Sequence, residues 1–207
     1  MINLAILVLA AGESSRMKTP KQLVKIGVNF LLETVLSKAK AINVNHVYCV
    51  LGANNVLIRR EISSANTHFI HNTNFKEGLS SSIAYGIAHL KTTTNSYDAI
   101  LVLLGDQPAI EKTYLNEMIA LFNKDQSKII ASNYGEKLGV PAIFPNSYFS
   151  KLQKMSGDFG AKDILNNNSN VIHLNKQTNF IDIDTAEDLQ NFKQTLLLML
   201  VTFINSG

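Results

Sequence analysis

The sequence predicts an α/β fold: a mostly parallel sheet with helices on both faces. Three observations predict it. Leu4–Ala10, His46–Leu51 and Ala99–Leu104 are short, continuously apolar runs, as expected of strands covered on both sides. Leu31–Ala41, Val56–Ser63 and Ser80–Leu90 lie between them and carry apolar residues at the three- and four-residue spacing of helices. The chain has 207 residues, of which 46% are hydrophobic and 17% charged, enough to bury one sizeable core and too few for two. A single domain over residues 1–207 is therefore expected.

The remaining elements follow in order. Thr67–Ile70 is a short candidate strand. Thr113–Phe122, after Pro108, repeats the helical spacing. Ile129–Ala131 and Ala142–Phe144 read as strands, the latter bracketed by Pro141 and Pro145, and Lys162–Leu165 as a helix after a turn. Val171–Leu174 and Phe180–Ile183 read as late strands. A closing helix covers Ala186–Leu198, with Asp184 or Thr185 at its N-cap. Asn166–Asn170 is a polar loop too short to divide domains.

Composition excludes several classes. The apolar content, with 11 Gly and 4 Pro, is not that of a disordered or low-complexity chain. A net charge of +3, with only Arg16, Arg59 and Arg60 as arginines, is too mild for a nucleic-acid binder. Cys49 is the only cysteine, so one chain forms neither a disulfide nor a cysteine metal cluster, and its place in an apolar strand marks it as packing. His68 and His71 lack a third ligand in the sequence, so zinc is not expected. Residues 1–4 run into a strand without a basic start or a cleavage-type end, and the longest greasy run, Leu196–Ile204, falls short of the about 20 residues a membrane helix needs. A cytoplasmic protein without a membrane anchor is the expectation. The Leu196–Ile204 run is apolar on every side, and either packs back on the sheet or forms a subunit contact.

Ligands of open parallel sheets bind beyond the carboxyl ends of the strands, and three such ends carry chemistry. The first strand runs into Ala11-Gly12-Glu13-Ser14-Ser15-Arg16-Met17-Lys18-Thr19-Pro20-Lys21-Gln22-Leu23. Glycine allows close approach, serines add donors, and Arg16, Lys18 and Lys21 add cations, which suits a polyphosphate; the alternative is an ordinary basic surface loop. The third long strand ends in Leu104-Gly105-Asp106-Gln107-Pro108. Asp106 is placed either to hold Mg²⁺, which takes one or two carboxylates plus phosphates and water, or to cap a turn. The third end is Phe180-Ile181-Asp182-Ile183-Asp184-Thr185-Ala186-Glu187-Asp188. Asp182 and Asp184 share one side of an extended chain and offer a second metal contact, or Asp184 and Thr185 cap the helix. No GxSxG elbow is present, and Ser80-Ser81-Ser82 has no evident His and Asp partners. A phosphate acceptor, with a second pKa of about 6, is already a nucleophile and needs positioning more than a base.

Together these motifs resemble the nucleotidyltransferases that load a nucleotide onto molybdopterin. LVLAAGESSRMKTPKQL at residues 7–23 is similar to the opening signature LAAGxSxRMGxxKxL and departs from it at Lys18, where the family has glycine. Residues 74–82 (NFKEGLSSS), 103–109 (LLGDQPA), 139–141 (GVP), 157–162 (GDFGAK) and 182–189 (DIDTAEDL) resemble further family segments in order. The resemblance implies a three-layer, Rossmann-like fold of the glycosyltransferase-A kind, with a nucleotide-binding half at 1–110 and an acceptor half at 111–207. Ala11, Gly12, Ser14, Ser15 and Arg16 are implied to hold the triphosphate, and Lys21 to neutralise charge at the α-phosphate. Asp106 and Asp184 are implied to hold Mg²⁺, Gly78, Ser80 and Ser81 to face the base, and Asp158, Gly160 and Asp182 to face the acceptor. Leu9-Ala10-Ala11-Gly12 matches the branch using CTP rather than GTP. The implied acceptor is molybdopterin and the implied recipient a molybdoenzyme. Pro20-Lys21-Gln22 also resembles the methylerythritol-phosphate cytidylyltransferases, which lack the Gly-Asp-Gln-Pro segment. A sugar-phosphate nucleotidyltransferase, built on a similar nucleotide half, and a non-catalytic cofactor-binding maturation protein are compatible with parts of the same pattern.

Overall fold

A computed structural model describes residues 2–42, 44, 46–62, 64–155, 160–176 and 178–205. Strands β1 (Leu4–Ala10), β4 (His46–Leu51) and β5 (Thr67–His71) pair in parallel, and β6 (Ala99–Leu104) joins the other side of β1, also in parallel. The seven-stranded sheet continues through β8 (Leu138–Pro145), β7 (Ile129–Asn133) and β9 (Val171–Leu174), in the order β5-β4-β1-β6-β8-β7-β9. Among these strands β8 alone runs against the rest, antiparallel to both β6 and β7. The chain winds from β1 outward to β5 and then returns to the opposite side of β1 as β6. The β1–β6 boundary is thus the switch point, where a crevice opens above the carboxyl ends.

All seven residues of β1 are buried, because period-2 alternation gives each face its own helices. Leu4, Ile6 and Val8 pack with α1 (Leu31–Ala41), α2 (Asn55–Glu61) and α4 (Lys112–Lys124). Ala5, Leu7 and Leu9 pack with α3 (Leu79–Thr92), α5 (Phe149–Gln153) and α6 (Gly160–Asn166). Gly86 lets α3 sit down on the sheet, since a Cβ there would lie 2.6 Å from the Leu7 side chain. Cys49 is buried and unpaired, and burial pushes its thiol pKa up, in keeping with inert packing. The expected helices before the closing one, and most strands, form within a residue or two of their sequence bounds, a normal margin. A hairpin, β2 (Lys25–Ile26) with β3 (Asn29–Phe30), is too short for periodicity to reveal.

The expectation of a strand at Phe180–Ile183 is corrected. These residues pair with no strand among the described residues. They cross the carboxyl end of the sheet as an extended strap, with the Ile183 N–H donating to the Asp106 carbonyl at 3.0 Å and the Phe180 ring stacked on Tyr134. An unpaired extended segment alternates inward and outward like a strand, so its sequence carries the same signal. The closing helix α7 (Ala186–Asn205) is longer than expected. Leu189, Phe192 and Leu196 pack under the strap, whereas Leu197 and Leu198 remain 63% and 68% exposed instead of folding back on the sheet. No helix among the described residues is long and apolar enough to cross a membrane.

Candidate active site

Three chain segments converge over the β1–β6 switch point. The 11–20 loop comes off β1, Asp106 stands at the end of β6, and the strap delivers Asp184. Lys21, at the start of a one-turn 3₁₀ helix, joins them: its Nζ lies 2.5 Å from Asp106 Oδ2 and 2.7 Å from Asp184 Oδ1. The Lys21 and Asp106 side chains are only 15% and 18% exposed. Arg16, largely in solvent, reaches Asp184 at 3.7 Å. Burial alone would lower the Lys21 pKa, but the adjacent Asp106 and Asp184 carboxylates outweigh it and hold the ammonium charged.

Thr185 settles which residue caps α7. Its Oγ1 accepts the Asp188 N–H at 3.1 Å, and Asp188 Oδ2 accepts the Thr185 N–H at 2.8 Å, a reciprocal capping box. The Asp184 side chain is therefore free to face Lys21. Asp182, two residues earlier, accepts from Gln107 Nε2 at 2.9 Å. Burial and the nearby Asp106 charge raise its pKa, while the Gln107 bond opposes the rise. Gln107 Nε2 also donates to Tyr134, whose phenol donates in turn to the Val140 carbonyl. Burial pushes the Tyr134 pKa up to about 12, so it stays a neutral donor.

Two adjoining openings lie here. One, of about 270 Å³, is lined by Ala10, Ala11, Gly12, Lys21, Gln22, Phe75, Gly78, Leu79, Ser82 and Asp106, with Leu9, Leu104 and Gly105 at its floor. The other, of about 240 Å³, is lined by Gly12, Ser14, Ser15, Arg16, Lys21 and Asp184. Gly12 and Lys21 belong to both. A larger opening of about 660 Å³ involves Ile2, Leu4, Asp98 and α4, at the opposite end of the strands, away from this charge cluster.

Most of the expected site residues thus meet. Ser80 and Ser81 do not: both are buried and line neither opening, while Ser82 lines the first. The first turn of α3 rotates Ser81 inward, where its hydroxyl donates toward the Gly78 and Asn74 carbonyls and accepts from Asn72. Gly78 precedes that turn with φ of 90°, a conformation that favours glycine. Asp158 lies outside the described residues, and Gly160 opens α6. Gln22, Phe75, Gln107 and Tyr134 were not singled out from sequence. Gln22 and Gln107 stand beside expected site residues, but nothing in their spacing separates a buried polar contact from a solvated one.

The chemistry of the cluster is that of a polyanion site with a place for a cation. Among the described residues, none of the N–H groups of Gly12 to Arg16 donates to a protein acceptor, so a row of amides is available beside two cations. Asp106 Oδ1 is buried without a hydrogen-bond partner among the described residues. An unpartnered anionic oxygen next to a second carboxylate fits a divalent cation. Among the described residues no three His, Cys, Asp or Glu side chains form a complete cage, and Mg²⁺ drawing its other ligands from phosphate and water does not need one.

A family model described as the MobA-like NTP transferase domain matches residues 6–172. The chain belongs to this family. Its match runs from β1 to β9 and so contains Lys21 and Asp106, but stops short of the strap and Asp184. Among curated relatives, the bifunctional protein GlmU of Pseudomonas putida strain F1 is 27% identical over 144 residues, 69% of this chain and 30% of that protein. The chain thus spans about a third of such relatives' length. Among solved structures, Rv0371c of Mycobacterium tuberculosis superposes with a TM-score of 0.78 at 23% identity, covering 92% of this chain and 98% of that one. A manganese complex of Rv0371c gives 0.76 at 22% identity, covering 93% and 98%. CMP:2-keto-3-deoxy-manno-octonic acid synthetase complexed with CTP gives 0.75 at 13%, covering 95% and 99%. These solved structures share the fold of this MobA-like chain.

Proposed function

We propose that this chain is a nucleotidyltransferase that moves CMP from CTP onto the terminal phosphate of a molybdopterin-type acceptor, releasing pyrophosphate and supplying a molybdoenzyme. The observation that carries this is the meeting of Arg16, Lys21, Asp106 and Asp184 beside unpaired loop amides at one crevice. CTP is supported by Ala11 in the Leu-Ala-Ala-Gly motif and by the likeness to a synthetase bound to CTP. Residues 1–110 serve the nucleotide and 111–207 the acceptor.

Asp106 and Asp184 would hold Mg²⁺, which when bound offsets charge on the triphosphate and its leaving pyrophosphate. The manganese complex of a structural relative is consistent with a divalent ion. The loop amides of 12–16, with Arg16, bind the β- and γ-phosphates and orient the α-phosphorus. An acceptor phosphate oxygen attacks that phosphorus in line. The bond to the bridging oxygen breaks, and pyrophosphate leaves with the electron pair. Lys21 swings from its carboxylate partners to the α-phosphate, where charge develops in the transition state. Asp182 and Gly160 would serve the acceptor, and so would Asp158, which the resemblance alone assigns to that role.

The test is pyrophosphate release with each of the four NTPs, Mg²⁺ or Mn²⁺, and molybdopterin, methylerythritol phosphate or a sugar phosphate. Release with CTP and molybdopterin is expected. Release only with another pair reassigns the substrates, and none with any pair leaves the non-catalytic maturation protein.

Gly12 supplies a separate prediction. Among the described residues, a Cβ there would meet no atom within 4 Å beyond its two chain neighbours, so packing does not require glycine, whereas a ligand lying on the loop does. Gly12→Ala is expected to melt within about 2 °C of wild type while its CTP affinity falls about tenfold. Unchanged affinity by calorimetry would remove Gly12 from the nucleotide contact.

A further inference from the structure

Gln22 is 2% exposed although polar, and the 10–14 segment uses both ends of its amide. Its Nε2 donates to the Ala10 carbonyl at 2.9 Å and the Gly12 carbonyl at 3.1 Å. Its Oε1 accepts from Ser14 Oγ at 3.3 Å, and that hydroxyl accepts the Lys21 N–H at 2.9 Å. Ser14 itself has φ of 59°, left-handed for a residue with a side chain, and these bonds hold it there.

In a planar trans peptide the N–H points opposite to the C=O. Drawing the Ala10 and Gly12 carbonyls in toward Gln22 therefore turns the N–H groups of Ala11 and Glu13 the other way. Among the described residues, neither N–H donates to a protein acceptor. We infer that Gln22 is a positioning residue: it acts through the loop, aiming the Ala11 and Glu13 amides at the triphosphate. This rests on the nucleotidyltransferase reading and adds to it the part that shapes the loop.

An uncharged amide suits the task because it offers two donors at one end and an acceptor at the other. A carboxylate would face two carbonyl oxygens, and a lysine would give Ser14 nothing to donate to. An aliphatic side chain would take this donor from the two carbonyls and the acceptor from the Ser14 hydroxyl hydrogen.

The experiment compares wild type with Gln22→Leu, measuring Mg·CTP and cytidine affinity by calorimetry, KM and kcat from pyrophosphate release, and melting. The Mg·CTP dissociation constant is expected to rise about tenfold, with KM following it, kcat less changed and cytidine affinity moving less than about twofold. A residue that only supports the fold would lower melting and active fraction while leaving KM unchanged. Gln22→Met, flexible enough to fit the same space, gives the same comparison if the leucine variant does not fold. Equal losses for CTP and cytidine, unchanged CTP affinity in a folded variant, or failure of both variants to fold would each overturn the inference. Wild-type protein that binds none of the four NTPs would overturn the nucleotidyltransferase reading as well, so the two failures are distinguishable.

Discussion

Asp106→Asn is expected to lower pyrophosphate release about 10³-fold or more at saturating nucleotide, equivalent to about 4 kcal/mol of barrier. The amide keeps the shape of the side chain but removes the charge that a divalent cation seeks. It also removes the anionic oxygen, Oδ1, that is buried without a partner among the described residues. The fold should tolerate the change. The variant loses its ion pair with Lys21 but also the charge that, together with burial, raises the pKa of Asp182. Melting within a few degrees of wild type, with Mn²⁺ binding in the presence of nucleotide abolished, would accompany the loss of turnover. A variant that turns over at the wild-type rate would exclude Asp106 from the reaction.

Lys21→Met is expected to cut kcat about 10²- to 10³-fold while nucleotide affinity changes about threefold, the pattern of a group acting mainly in the transition state. Equal effects on both would make Lys21 an ordinary binding residue. A stability loss of about 2 kcal/mol should accompany it, because two carboxylates lose the ammonium they share. The pH dependence has a definite sign. Since the Lys21 pKa is raised in the folded protein, its stabilisation is complete at neutral pH and is lost only as pH rises through that raised value, above the ordinary lysine range. Between about pH 6 and 9 wild type and Lys21→Met should therefore differ in melting temperature by a constant amount, measurable by calorimetry. A gap that closes in that interval would mean the ammonium is not held by the two carboxylates.

The legible part of the site was what strand ends display. β1 and β6 declare themselves because burial on both faces demands uninterrupted apolar residues, and the chemistry then sits in the few residues after each run, Gly12 to Lys21 and Asp106. The helix α3 was equally clear, but not which of its serines faces the crevice. A helix turns about 100° per residue, so its start must be fixed by Gly78 before Ser82 can be told from Ser80 and Ser81. The strap at Phe180–Ile183 misled for a related reason: alternation reports an extended chain and a one-sided environment, without saying whether a neighbouring strand is there to pair.

By itself the sequence determined the layered α/β fold, the buried strands and the two turns that carry cations and a carboxylate, because these depend on side chains within a few positions of one another. Only the tertiary structure decided that Lys21 touches Asp106 and Asp184, 85 and 163 residues away, that Thr185 caps α7 and so frees Asp184, and that Gln22 holds the loop from beneath. Local spacing fixes which residues are buried and which way each element faces. Which distant groups share one small volume is set by the crossovers that bring β6 beside β1 and by the strap laid across their ends, and no local pattern encodes that contact.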